Sequence, residues 1–434
     1  MTPAARLSAA IEVLDAIDTD RSPAQNALKA WGTAHRFAGS GDRAAIAGLV
    51  FDALRRRSSS AYLMDDDSSR GQLLGALRLE RGLDTDAIAA LCNGERFAPA
   101  PLTDAERSAL ETRTLDRAAP EIAGDYPAWL DPHFAEAFGD DRVKEAAAMA
   151  SRAPLDLRVN TLRAKPEKAA ASLSHLGAAP TPWSPLGLRI VLGADARNPG
   201  VHAEEVFIKG GVEVQDEGSQ LAALLTQAKP GEQVIDLCAG AGGKTLALAA
   251  MMEGRGRLIA TDRDKRQLAP IHERLSRAGV HNAEIRSPKG TENVLSDIKA
   301  SADLVVVDAP CTGTGTWRRN PDAKWRMRPG ALEIRLKDQA EVLERAAALV
   351  KPGGRIVYIT CSVLPQENGG QIDAFTARHG DFAVVPPSEV IGALGDRAGD
   401  FGKAVRQSPQ GLLMTPLRTG TDGFFVSVLR RGAA

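Results

Sequence analysis

Apolar positions recur at helical spacing through the first third of the chain, in AARLSAAIEVLDAI and in RAAIAGLVFDALRRR, where Ala, Leu and Arg dominate. The interruptions GSGD (39–42) and DDDSS (65–69) read as connections between helices. The pattern predicts an all-helical domain over residues 1–145. Within it, the stretch from Ala98 to Phe138 (FAPAPLTDAE, DYPAWLDPHF) is rich in proline and aromatics and reads as loop.

The period then shortens. LDLRVNTL (155–162) has strand character, and PEKAAASLSHLG (166–177) reads as a helix with Pro at its start and Gly past its end. LRIVL and VFIKGGVEV add strand-like pieces, so residues 146–214 form a small α+β module. From Gln215 to Ala434 apolar runs alternate with helical ones. QVIDLC (233–238), RLIATD (257–262), AEIR (283–286), DLVVVD (303–308) and RIVYITC (355–361) are separated by KTLALAAMME, KRQLAPIHERLSRAG, EIRLKDQAEVLERAAALV and QENGGQIDAFTARHG. Strand and helix in alternation imply an α/β, Rossmann-like, doubly wound parallel sheet. GLLMTPL and GFFVSVLRR, around TGTDG, predict an antiparallel hairpin at the sheet edge.

Composition narrows the class. A chain of 434 residues with 44% hydrophobic and 25% charged residues is long enough for two or three ordinary globular domains. No apolar run reaches the roughly 18 residues of a membrane span, and the first residues lack the features of a signal peptide. The expected location is the cytoplasm, with no membrane partner. The four cysteines, Cys92, Cys238, Cys311 and Cys361, contain no CxxC pair. That excludes a disulfide framework and a structural zinc site, and no metal is expected. The net charge of −1 makes no case for nucleic acid, so any such case must rest on local patches.

The chemistry concentrates at strand ends, where open parallel sheets bind their ligands. The first is Asp236-Leu-Cys-Ala-Gly-Ala-Gly-Gly-Lys244-Thr, between a strand and a helix, with glycines at 240, 242 and 243. A phosphate loop, GxxxxGK[ST], requires Gly where Cys238 stands, and a GxGxxG fingerprint requires Gly where Thr245 stands. A nucleoside-type cofactor remains. Asp262, ending the second strand 20 residues after Gly242, is suited to accept hydrogen bonds from ribose hydroxyls. The second motif is Asp308-Ala-Pro-Cys311-Thr-Gly-Thr-Gly and the third is Thr360-Cys361-Ser362, followed by Pro365-Gln366-Glu367-Asn368. Neighbouring strands would hold both thiols over one face of the sheet, beside Lys244, whose cation would favour a thiolate. Asp308 could hold the edge of a base. Geometry alone leaves open which cysteine is the nucleophile. From Trp317 to Lys337, Arg318, Arg319, Lys324, Arg326, Arg328, Arg335 and Lys337 interleave with Trp317 and Trp325, a composition suited to guiding an RNA strand by phosphate contact and stacking.

Taken together, QDEGSQL (215–221), DLCAGAGGKT (236–245), Asp262, DAPCTGTG (308–315), RNPDAKWR (319–326), TCSVLPQEN (360–368) and TDGFF (421–425) resemble the Nop/Sun family of RNA cytosine-5 methyltransferases. They span about the last 220 residues. The resemblance implies a Rossmann-like S-adenosyl-L-methionine methyltransferase domain over 215–434, preceded by a small RNA-contacting module and an N-terminal helical domain. The N-terminal helices (HRFAGSGDRAAIAGLVFDALRRR, 35–57) are similar to the NusB-type, RNA-binding domain of the branch that acts on 16S ribosomal RNA. The resemblance implies S-adenosyl-L-methionine as cofactor and RNA as partner, the small-subunit ribosomal RNA ahead of transfer RNA. The protein is expected to act as a monomer. The resemblance also implies Cys361 as nucleophile, Cys311 as the helper that releases the product, and Asp308 as the holder of the cytosine, with Lys244 among the catalytic groups. Cys238, Ala239, Gly240, Ala241, Gly242, Gly243, Lys244, Asp262 and Asp308 would hold the cofactor.

The chain departs from that pattern in two places. EIRSPKG offers Ser287 and Lys289 where the family's third strand typically ends in Asp, and Gln267 replaces a basic residue beside Lys265 and Arg266. The adenine-side contacts of the cofactor are therefore expected to differ. A ribosome-assembly or RNA-binding factor that kept the fold and lost the chemistry is the alternative from another functional class.

Overall fold

The structure, a computed structural model, describes residues 1–193, 199–288, 290 and 293–433, which fall into two compact units. The first unit comprises Met1–Arg152 with Gly193 and Trp317–Met327; the second holds the rest.

The first unit is built from helices, among them Pro3–Asp20, Ala24–Ala34, Ser40–Arg55, Arg57–Met64 and Ser69–Leu79. Leu7, Val13, Ile46, Val50, Leu54, Leu73 and Leu77 meet in its core. The segment read as loop, 98–138, is instead partly helical, with helices Asp104–Thr112, Pro120–Ala123 and Asp131–Phe138. Its prolines misled the reading because Pro120 and Pro132 sit in first turns, where the missing N–H costs nothing. Thr103 and Glu106 form a capping box that starts the first of these helices.

The basic and aromatic stretch departs from the expectation of a strand-guiding loop. Its first half, Trp317–Met327, belongs to the core of the helical unit. Trp317 stacks on Phe134 with centroids 5.7 Å apart. Trp325 Nε1 donates to Leu54 O at 2.7 Å, and Lys324 Nζ donates to Arg55 O at 2.9 Å and Asp125 O at 2.6 Å. Leu54 and Arg55 end the helix Ser40–Arg55, so these side chains satisfy carbonyls that a helix terminus leaves without partners. Burial pulls the Lys324 ammonium down to about 7, with the Asp125 charge opposing it. A lysine with four apolar methylenes and a donor tip suits this place as well as it suits solvent, which is why composition could not tell the two apart.

The second unit carries two sheets. In the small one, β1 (Leu155–Val159) pairs antiparallel with β3 (Gly187–Ile190) and β4 (Val212–Val214), and β2 (Ala179–Pro180) completes the order β2-β3-β1-β4. Part of VFIKGGVEV, read as strand, is a helical turn, Glu205–Ile208, before β4. The large sheet contains β5 (Gln233–Asp236), β6 (Arg257–Thr261), β7 (Ala283–Arg286), β8 (Ala302–Asp308) and β9 (Val350–Thr360). It is extended by β10 (Phe382–Val384), β11 (Arg406–Ser408), β12 (Gly411–Met414) and β13 (Phe424–Arg431). The order is β11-β12-β13-β9-β8-β5-β6-β7, with β10 against β13.

Strands β5 to β9 run parallel, and Val234, Ile235, Leu258, Ile259, Val305, Val306, Ile356 and Val357 are fully buried, as strands covered on both faces require. The crossover reverses between β5 and β8, which locates the switch-point crevice at the carboxyl ends of these two strands. The C-terminal pair β12–β13 is antiparallel as expected, but β13 lies inside the sheet between β9 and β12, and β11 forms the edge. KRQLAPIHERLSRAG is two helices, Lys265–Leu268 and Ile271–Ala278, broken at Pro270. Among the described residues, no helix is long and apolar enough to cross a membrane, and no group of three or more His, Cys, Asp or Glu could hold a metal ion.

Lys324→Met leaves the carbonyls of Arg55 and Asp125 buried without their donor and should lower stability by about 1–3 kcal/mol. The Lys324 value lies near 7 in the fold and at 10.5 when unfolded, so between these limits the unfolded chain binds the proton that the fold rejects. Stability of the wild type therefore rises with pH across that window, and the variant loses this part of the slope. Denaturant unfolding from neutral to alkaline pH reads both effects.

Candidate active site

The first strand-end loop leaves β5 at Asp236 and turns into the helix Gly243–Met251. The turn needs left-handed backbone at Gly240 (φ 50°) and Gly242 (φ 84°). Gly242 has a second reason to be glycine, because a Cβ there would lie 2.4 Å from Ile271 Cγ1. Asp236 is fully buried; its Oδ2 accepts from the Thr245 hydroxyl at 2.7 Å, and burial pushes its carboxyl up to about 7. Asp262, just after β6, is bound to the loop itself, since the Gly240 amide donates to Oδ2 at 2.9 Å and the Asp264 amide to Oδ1 at 2.8 Å. Burial raises the Cys238 thiol and keeps it neutral. From the other side, Arg274 Nη1 donates to Ala241 O at 2.7 Å while Nη2 pairs at 3.0 Å with Glu213 of β4, so the small sheet and the glycine loop share one arginine.

The second and third motifs meet because β8 and β9 pair in register, Asp308 opposite Ile359, with the Ala309 amide donating to Ile359 O at 2.8 Å. Both chains then stop being strands. Cys311 Sγ and Cys361 Sγ come to 3.3 Å. The Gly315 amide donates to Cys361 O at 2.9 Å, and the Gly423 amide donates to Gly315 O at 2.8 Å. A Cβ on Gly315 would stand 2.2 Å from Gly423 O, so the glycines of DAPCTGTG and TDGFF are there to let two backbones touch. Contact with the Cys361 sulfur first, and burial next, raise the Cys311 thiol well above its ordinary value. Lys244 Nζ lies 2.7 Å from Asp308 Oδ2 and 5.2 Å from the centre of the Phe424 ring, so this cation is given to the carboxylate.

These groups share a cavity of about 550 Å³, within the usual size of ligand pockets. Cys238, Ala239, Gly240, Ala241, Gly243, Lys244, Asp262, Asp308, Cys311 and Cys361 all line it. Gly242 stands behind the loop against Ile271. Gln267 lines the cavity too; Ser287 is exposed, and Lys289 lies outside the described residues. Space is open in front of Gly240, where a Cβ would meet nothing within 4 Å. A loop open at that point, an anchored carboxylate beside it and this volume fit a nucleoside cofactor.

Sequence reasoning missed part of the wall. Arg263 pairs with Asp338 at 2.6 and 3.0 Å, Arg335 joins the same carboxylate at 2.9 Å, and Glu341 and Arg345 line the cavity beside them. The signal was present as the spacing 338, 341, 342, 345 on one face of the helix Gly330–Leu349.

Residues 223–430 match the family described as 16S rRNA methyltransferase RsmB/F, and residues 126–196 match the RsmF/B-like ferredoxin-like domain. The chain is 33% identical over 334 residues to ribosomal RNA small subunit methyltransferase B of Sodalis glossinidius, covering 76% of this chain and 69% of that protein. It is 35% identical over 262 residues to the protein of the same name from Salmonella arizonae, covering 60% and 59%. The solved structure of PH0851 superposes with a TM-score of 0.72 at 25% identity, covering 99% of each chain.

Gly242→Ala should strain the left-handed turn and press on Ile271, at a cost of about 1–3 kcal/mol. The expected result is a melting temperature lower by several degrees, read by calorimetry. An unchanged value would show that the loop does not depend on this close approach.

Proposed function

The chain belongs to the 16S rRNA methyltransferase RsmB/F family, and on that premise we propose that it methylates carbon 5 of a cytosine in small-subunit ribosomal RNA through a transient bond from Cys361 to carbon 6. The observation that carries this reading is the 3.3 Å between the sulfurs of Cys311 and Cys361, which line the same cavity as the glycine loop and Asp262. Packing alone gives no reason for two thiols to meet at neighbouring strand ends beside a cofactor loop.

Carbon 5 of cytosine is a weak nucleophile. A thiolate added at carbon 6 turns the ring into an enamine, which is the familiar gain of covalent catalysis. S-adenosylmethionine, when bound, supplies the electrophilic methyl group. Cys361 Sγ gives up its proton and bonds to carbon 6. Asp308 holds the polar edge of the base, with its other oxygen fixed by Lys244. The 238–244 loop and Asp262 hold the cofactor, the carboxylate accepting from the ribose hydroxyls. Once carbon 5 carries the methyl group, its hydrogen leaves as a proton to water, and its electron pair restores the ring double bond. The bond to Cys361 breaks, and the departing thiolate accepts a hydrogen bond from the Cys311 thiol. A second, open cavity of about 800 Å³ in the unit of the small sheet is lined by Arg163, Lys165 and Lys168, and by Lys209, which pairs with Glu205 beside Glu204; the three cations on the 163–168 side support a role for that module in holding RNA phosphates. We assign RNA binding to the helical unit as well.

Cys361→Ala should abolish both transfer of tritiated methyl from S-adenosylmethionine to unmodified bacterial RNA and any covalent adduct, by roughly three orders of magnitude or more. Cys311→Ala should instead leave protein attached to RNA on a denaturing gel. Reversed phenotypes would exchange the two roles, and a folded wild type that transfers nothing would make the protein an RNA-binding factor. Bisulfite sequencing of RNA from cells lacking the protein names the cytosine.

A further inference from the structure

Beside the cysteine pair lies a carboxylate to which that chemistry gives no role. Glu367 is fully buried, in the turn Pro365–Glu367 after β9. Its Oε1 accepts from the Thr312 amide at 2.8 Å and from Gln339 Nε2 at 3.0 Å, and its Oε2 accepts from the Thr312 hydroxyl. These partners are neutral donors, and the two N–H groups can only donate, which is the surrounding an ionised carboxylate requires. Gln339 Nε2 also donates to Pro310 O at 3.0 Å, and the Tyr358 hydroxyl donates to Glu367 O at 2.7 Å. The residues on both sides of Cys311 are thus held from Glu367, directly at Thr312 and through Gln339 at Pro310.

After the Cys361 sulfur and burial, the Glu367 charge is the next influence raising the Cys311 thiol, while the Gly313 amide opposes it. Among the described residues, Tyr358 lies on the Glu367 side of the pair, and the cavity the two thiols share is also lined by the Lys244–Asp308 ion pair, Cys238, Asp262, the Arg263–Asp338–Arg335 cluster, Glu341 and Arg345.

We propose that Glu367 is the positioning residue that decides which sulfur attacks: it fixes the Pro310–Thr312 turn and sets a negative charge beside Cys311, so that the proton of the ionised pair stays on Cys311 and the anion on Cys361. Ionisation of the pair releases one proton to solvent, and the second bridges the sulfurs with Cys311 donating. Glu367 is not among the residues that line the cavity. The proposal rests on the reading of Cys361 as nucleophile.

The test is alkylation of the full-length protein by sub-stoichiometric iodoacetamide across a pH series, with each cysteine quantified by mass spectrometry. In the wild type, Cys361 should reach half-maximal alkylation about one pH unit or more below Cys311. Glu367→Gln keeps the shape and one accepting oxygen for the Thr312 amide and Gln339, and the Thr312 hydroxyl can turn to accept from the new amide, but the charge is removed; the ratio of Cys361 to Cys311 modification at neutral pH should fall about tenfold. Glu367→Asp keeps the charge and should retain the wild-type order. A wild type in which Cys311 reacts at the lower pH, or a folded Glu367→Gln protein with an unchanged ratio, would overturn the proposal. Should Glu367→Gln fail to fold, the wild-type order and the Glu367→Asp profile still decide. Failure of the methyltransferase reading appears elsewhere, as absent methyl transfer by a wild type whose alkylation order is as stated.

Discussion

Parallel pairing of β8 with β9 is the constraint from which the site follows. The register runs from Leu304 opposite Arg355 to Asp308 opposite Ile359, and it fixes where both strands end relative to the β5 loop. With that register set, the Pro-Cys turn and the Thr-Cys turn must leave the sheet side by side. The hydrogen bonds from Glu367 and Gln339 to the Pro310–Thr312 turn and the glycine contact at Gly315 and Gly423 then remove the remaining freedom of the backbone that carries the sulfurs. Groups of this kind gain their reactivity from being placed before the substrate arrives.

The charged groups around the cavity are arranged on the same principle. Lys244 spends its charge on Asp308, Asp262 is tied to the Gly240 and Asp264 amides, and Arg263 with Arg335 neutralises Asp338. Each is partnered, so the cavity presents oriented groups rather than loose ones. Glu213 and Arg274 extend the arrangement to β4, which gives the small sheet a direct hold on the backbone of the glycine loop.

Much of the large sheet could be read from sequence because fully buried parallel strands appear as short, unbroken apolar runs such as DLVVVD and RIVYIT, set apart by helical periods. The strand-end motifs were legible because open parallel sheets bind their ligands at these ends; that Gly242, Gly315 and Asp236 there also serve packing was not. What escaped was long-range. Nothing local distinguishes GFFVSVLRR as an edge strand from β13 flanked by β9 and β12. Prolines at 120 and 132 look alike whether they break a helix or begin one. Lys324 and Trp325 have the composition of a wet RNA-binding loop, yet they close the end of a helix nearly 270 residues earlier in the chain.

That last feature bears on how the gene can be divided. A fragment beginning after Arg152 would retain Trp317 and Lys324 while lacking Phe134, Arg55 and Asp125, the residues against which they are buried. An indole and an amine would be left facing water, at positions 317 and 324, downstream of Cys311. Loss of the amino-terminal third therefore cannot be a neutral trimming event, and a lineage that shed it would have to rewrite the eleven residues from Trp317 to Met327 at the same time.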